Sequence, residues 1–208
     1  CRTSQFDDGK IANIAPKNNK SSFFSGFLAG SVGWGDACII VPYEMYRRYG
    51  DARILSENYE MMKKWYVFLE ERAKKRPVNP VKRFKRNPYR RYTIETGVDY
   101  GEWCEPDVES TSAMRTPQGK VATAFFAYSG RMLAEIAAIL GKEDDAAYYS
   151  KTAEMAKKAW RFIATEDGKI SSDRQADYVR ALAFGLLDGD EARQAAADLN
   201  ELVKKCGY

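Results

Sequence analysis

The chain has 208 residues, 45% of them hydrophobic and 30% charged, enough for one domain with a sizeable core. It contains no histidine, which excludes Ser-His-Asp and Cys-His catalysis, H-E-x-x-H metal sites and imidazole acid–base chemistry within it. The net charge of +4 is uneven: residues 72–91 hold ten Lys/Arg and no acid, leaving 23 basic against 29 acidic residues elsewhere.

In chain order, residues 1–32 read as an irregular lead-in, with a turn at Gln5-Phe6-Asp7-Asp8-Gly9 and a polar loop at 17–22. Helical periodicity starts at Asp36, which is placed to cap the first helix; Pro42 is expected to kink it. Tyr49-Gly50-Asp51 ends that helix and caps the next. The second helix spans about Ala52 to Lys74, with Leu55, Tyr59, Met62, Tyr66 and Leu69 on one stripe and Trp65 widening it. Pro77, Pro80 and Pro88 exclude a helix interior over 75–100, and the basic run 72–91 reads as an insertion loop. The third helix runs from about Lys120 to Leu140, with Ala124, Phe125, Tyr128, Met132, Ile136 and Ile139 inward and Gly141 as its stop. A fourth covers about Asp144 to Ile163, with Tyr149, Ala153, Ala156 and Trp160 inward, and Tyr148 also packs between helices. Asp167-Gly168 marks a tight turn, and two more helices follow over about Arg174–Leu187 and Glu191–Lys205.

Alternating short and long connections imply antiparallel helical hairpins, whose long loops gather on one face. Two of those loops carry Gly33-Trp34-Gly35-Asp36-Ala37 and Tyr100-Gly101-Glu102-Trp103-Cys104-Glu105-Pro106. Each sets a tryptophan beside a carboxylate on a glycine-flanked turn. An indole face suits the C–H face of a sugar, and a carboxylate accepts hydrogen bonds from hydroxyls. Against this, a turn-borne Trp is often a core plug and an Asp before a helix is often its N-cap. With histidine absent, Asp and Glu remain for proton transfer, as in glycosidases. Cys1, Cys38, Cys104 and Cys206 include no C-x-x-C pair, so no zinc site is expected, and Cys38 reads as a buried thiol. The chain shows neither G-x-G-x-x-G nor a Walker A pattern, and no apolar run reaches the ~18 residues of a membrane span. No cofactor, metal or membrane is expected.

Gln5-x-Asp7-Asp8-Gly9 with Ala15-Pro16, Gly33-Trp34-Gly35-Asp36-Ala37 with Pro42 and Tyr46, Tyr49-Gly50-Asp51, Tyr100-Gly101-Glu102-Trp103 and Ala181-Leu182-Ala183-Phe184-Gly185-Leu186-Leu187 follow one another here in an order that resembles the catalytic domain of bacterial α-L-rhamnosidases, glycoside hydrolase family 78. The resemblance spans nearly the whole chain apart from the basic insertion. It implies an all-α fold, part of an (α/α)6 toroid of six hairpins, over a single domain 1–208. It also implies cleavage of rhamnose-containing glycosides with inversion by a carboxylic acid and a carboxylate-activated water. Trp34 and Trp103 match pocket-lining aromatic positions, and Asp36 and Glu102 the adjacent acidic ones. Glu102 stands where the family motif has Asp. The family's general acid and base correspond to segments before residue 1 and after Tyr208, so the chain is expected to be a central fragment without either.

Further expectations follow. The acidic body and the solvated character of most charge runs argue against nucleic acid as a partner, although residues 72–91 interleave Phe84, Tyr89 and Tyr92 with their charges and keep that alternative open. A non-catalytic helical binding module is the other alternative; it predicts Trp34 and Trp103 in separate cores. Half a ring leaves helix faces uncovered, which predicts self-association or closure into a compact bundle. The expected location is soluble, in the bacterial cytoplasm, the periplasm or outside the cell. Asp173, Gln175 and Arg115 are minor candidates for the border of a sugar cleft.

Overall fold

A computed structural model describes residues 2–16, 29–76, 87–102 and 118–207. Within them six helices form three hairpins: α1 (Ala37–Tyr49) with α2 (Arg53–Lys74), α3 (Gly119–Ile139) with α4 (Glu143–Ala164), and α5 (Gln175–Ala183) with α6 (Gly189–Lys205). A short antiparallel ribbon, β1 (Thr165–Glu166) and β2 (Lys169–Ile170), joins the second hairpin to the third. Asp167 and Gly168 both take positive φ, at 49° and 78°, as a two-residue hairpin turn requires. Among the described residues no helix is long and apolar enough to cross a membrane.

The predicted stripe of α2 is sealed: Leu55, Tyr59, Met62, Trp65, Tyr66 and Leu69 are each at most 2% exposed. Helix α3 is central, packing against α1, α2, α4 and α5. Its small residues let α4 approach closely; a Cβ built on Gly130 would lie 2.2 Å from the Tyr66 hydroxyl and 3.0 Å from Ala153 Cβ. Tyr149, Ala153, Ala156 and Trp160 face inward from α4 as predicted. Tyr148, by contrast, is half exposed, and its hydroxyl donates to Glu70 of α2 at 2.6 Å. Phe125 and Tyr128 are only half-buried: they meet Phe184, which stacks on Tyr128 at 4.0 Å. Ile139 is exposed.

The helix ends follow their capping chemistry. The N-cap of α2 is Ala52, with no side-chain cap of its own; Asp51, one residue earlier, accepts the Arg53 N–H on its Oδ1 at 2.9 Å. After α3, Lys142 N–H reaches Ala137 O and Gly141 N–H reaches Ala138 O, the paired bonds of a Schellman closure. The same pair, Leu186 to Ala181 and Gly185 to Leu182, closes α5. The expected fifth helix therefore ends at Ala183, because Gly185 sits at φ 64°, a left-handed conformation open mainly to glycine. Pro42 lies inside α1, and the helix runs through it.

The lead-in turn forms as expected. Phe6 N–H bonds Lys10 O, and Gln5 Nε2 donates to Met61 O, stapling the turn to α2. Arg72 departs from the expected basic loop. It belongs to α2 and is 4% exposed. Residues 77–86 of that run lie outside the described residues. On α1, Val41, Met45 and Tyr49 form an exposed apolar stripe at a spacing of four residues.

Candidate functional site

The first Trp motif is fixed from beneath. Gly33 holds φ 90°, a region that favours glycine, and turns the chain so that Trp34 points outward, 47% exposed. Gly35 lies flat on the Trp65 ring; a Cβ there would fall 2.3 Å from a ring carbon. Asp36 is fully buried. Its carboxylate accepts from Gly33 N–H at 2.7 Å, Trp65 Nε1–H at 3.0 Å and the Ser129 hydroxyl at 2.5 Å. Burial pushes the Asp36 carboxyl above its usual value, and the hydrogen bonds from Ser129, Gly33 and Trp65 oppose that rise. Two expectations for Asp36 are thereby corrected. It makes no side-chain cap on α1, because its carboxylate turns back to Gly33. Nor does it face a sugar, because its oxygens are spent tying the Trp34 turn to α2 and α3.

The second motif meets the first. Tyr100 packs against Trp34 with ring centroids 4.7 Å apart and planes tilted by 46°. The Tyr100 hydroxyl accepts from Asn13 at 3.0 Å, and its N–H donates to the Ser31 hydroxyl at 3.1 Å. Beneath this contact lies a buried ion pair. Arg72 Nη2 reaches Asp99 Oδ2 at 2.8 Å, and Nη1 reaches Asp99 Oδ1 at 3.0 Å. The same guanidinium donates to Gly30 O at 2.9 Å and to Thr96 O, while Asp99 Oδ1 also accepts the Val32 N–H at 2.7 Å. One buried arginine at the end of α2 thus clasps the two loops that carry the Trp motifs.

Glu102 extends from the same loop to α5, where it ion-pairs with Arg180. Arg180 is 8% exposed and also holds Asp177 at 2.8 Å. Burial pulls the guanidinium pKa down to about 10, still well above neutrality. Asp177 accepts the Ser172 hydroxyl at 2.7 Å, which links this cluster to the turn before α5. Trp103 and Arg115 lie outside the described residues. Asp173 is exposed, and Gln175 Nε2 contacts Cys206 Sγ at 3.3 Å. Cys38 is buried and free. Among the described residues no three His, Cys, Asp or Glu come together as a metal site.

Arg72, Asp99 and Arg180 organise this rim, and sequence reasoning missed all three. Arg72 carried a signal: it falls three residues after Leu69 on the sealed stripe of α2. Arg180 pairs with a residue 78 positions earlier, and no local periodicity announces that. The chemistry assembled here is a half-open aromatic corner, Trp34 against Tyr100, beside a charged carboxylate held by arginine.

A model of the bacterial alpha-L-rhamnosidase six-hairpin glycosidase domain matches residues 1–208, and the chain belongs to this family. It is 31% identical over 207 residues to an alpha-L-rhamnosidase of Formosa agariphila, covering 98% of this chain and 20% of that protein. With an alpha-L-rhamnosidase of Streptomyces avermitilis it shares 31% identity over 199 residues, covering 95% of this chain and 16% of the relative. The crystal structure of a Streptomyces avermitilis alpha-L-rhamnosidase complexed with L-rhamnose superposes with a TM-score of 0.75 at 28% identity, over 98% of this chain and 17% of that one. The chain thus spans a fifth or less of each of these relatives.

Proposed function

We propose that residues 1–208 form one wall of the sugar pocket in a glycoside hydrolase that cleaves terminal α-L-rhamnosides with inversion. Two carboxyls carry that chemistry, one protonating the leaving oxygen and one activating water, ~6.5–9.5 Å apart; both are assigned to segments beyond this chain. Trp34 and Trp103 stack on the sugar, and Glu102 accepts from a hydroxyl. Asp36 acts from below by holding the Trp34 turn. Rhamnose-containing glycosides are the substrate class, and the residues call for no cofactor. The observation that carries this reading is the meeting of the two motif loops, with half-open Trp34 against Tyr100 and Glu102 two residues further on. Separate cores for the two motifs, as a plain binding module requires, fit that contact poorly.

The test compares hydrolysis of a chromogenic α-L-rhamnoside by the 208-residue chain and by the full-length gene product. Activity in the full-length product alone is expected. Trp34→Ala is expected to weaken its sugar affinity about tenfold or more, as for loss of a stacked aromatic anchor, with little change in melting temperature. Activity in the 208-residue chain would overturn the assignment of the acid and base to other segments. Activity in neither would overturn the substrate class.

A further inference from the structure

We propose that Arg180 is a positioning residue of the sugar pocket, which fixes the Glu102 carboxylate and locks the rim of residues 94–102 to that of residues 171–177. This rests on the reading of Glu102 as a sugar contact and deepens it. Arg180 rises from α5 with its two terminal nitrogens divided between two carboxylates, Nη2 to Glu102 and Nη1 to Asp177. The arginine side chain is 8% exposed and that of Glu102 is 37% exposed. The cation is therefore sealed and the anion is half presented, the arrangement of a support beneath a contact. Asp177 is fixed in turn by the Ser172 hydroxyl, so the fork cannot swing towards one carboxylate without losing the other. A guanidinium can hold both acids in one plane, whereas an ammonium is a point charge without a fork.

The consequence for recognition is direct. With Arg180 in place, Glu102 is held in one position as a hydroxyl acceptor. Without it, Glu102 and Asp177 are like charges with no shared counterion, and Glu102 withdraws to solvent. Loss of Arg180 is thus equivalent, at the sugar, to loss of Glu102.

The experiment measures KM and kcat for a chromogenic α-L-rhamnoside, and L-rhamnose affinity by calorimetry, on the full-length gene product. The variants are Arg180→Lys, Arg180→Met, Glu102→Asp, Glu102→Gln and the double Arg180→Met/Glu102→Gln, each with its melting temperature. Arg180→Met and Glu102→Gln are each expected to weaken affinity and raise KM about tenfold, the scale of one charge-assisted contact, with kcat nearly unchanged. The double variant is expected to be no worse than either single one. Arg180→Lys and Glu102→Asp keep the charges but lose the fork or the reach, and are expected to show most of the effect in folded protein. If Glu102→Gln weakens binding while the Arg180 variants do not, or if the two effects multiply, the role of Arg180 is overturned and that of Glu102 stands. If Glu102→Gln changes nothing, or no variant and no parent binds the sugar, the reading of Glu102 falls and Arg180 with it.

Discussion

Replacing Asp99 with Asn is expected to cost the fold about 3–5 kcal/mol, the range for breaking one side of a buried ion pair. The side chains of Arg72 and Asp99 are 5% and 6% exposed, so water does not rescue the charge left behind. Of the groups Arg72 reaches, Gly30 O and Thr96 O are neutral and Asp99 alone is anionic. At the observed 2.8 Å, and with an effective dielectric constant of about 20, the direct attraction is about 6 kcal/mol, consistent with a net loss in that range after desolvation. Asn preserves the shape and still accepts the Val32 N–H through Oδ1, but its amide nitrogen then faces the Arg72 Nη2 donor, so the perturbation removes the charge together with one hydrogen bond. For a domain of this size each kcal/mol moves the melting temperature about 2–4 °C, giving a fall of about 6–20 °C by calorimetry. Because the same pair holds the loops of residues 29–34 and 94–102 together, the Trp34–Tyr100 contact should loosen with it. A melting temperature within about 2 °C of the parent would mean that the pair contributes under 1 kcal/mol and would refute the clasp.

Gly130→Ala puts a methyl group of α3 against the Tyr66 hydroxyl of α2 and Ala153 of α4 and is expected to cost about 1–3 kcal/mol by overpacking; urea midpoints check this, and an unchanged midpoint would show slack between the helices. Asp36 gives a pH-dependent prediction with a definite sign. Its folded pKa lies above the ordinary 3.8, so its contribution to stability is full below that value and is lost as pH rises through the folded pKa. The stability advantage of the parent over Asp36→Asn should therefore shrink as pH rises above the ordinary carboxylate value of 3.8 in urea titrations; a growing advantage would mean that the three hydrogen bonds outweigh burial. Self-association through Val41, Met45 and Tyr49 predicts a sedimentation coefficient that rises with concentration and is flattened by Met45→Glu; concentration-independent sedimentation of the parent would favour a closed bundle.

Local patterns carried most of the fold. The stripe from Leu55 to Leu69, the helix ends at Gly50-Asp51 and Gly141, and the Asp167-Gly168 turn each depend on neighbours within a few residues, so the chain itself displays them. The errors arose where a distant partner decided the outcome. Phe125 and Tyr128 matched a helical core pattern, yet they are only half-buried, and their ring partner is Phe184 from beyond α4. Arg72 was absorbed into a charge run because composition does not register that its neighbours on α2 are sealed. Asp36 occupied a cap position, but Ser129 and Trp65, remote in sequence, claimed its oxygens. Of the candidate site, the two turns were legible as turns. That they meet through Trp34 and Tyr100, and that Glu102 is held from α5, depended on tertiary contacts.

The exposure of Trp34 also makes the rim optically addressable. Trp65 and Trp160 are 0% and 1% exposed, against 47% for Trp34. A neutral collisional quencher such as acrylamide therefore reaches Trp34 far more readily than the two sealed indoles. Among these three described tryptophans the emission it removes is that of Trp34, so the proposed stacking on a sugar predicts that a bound sugar protects this ring from the quencher, a signal read without a label and without turnover.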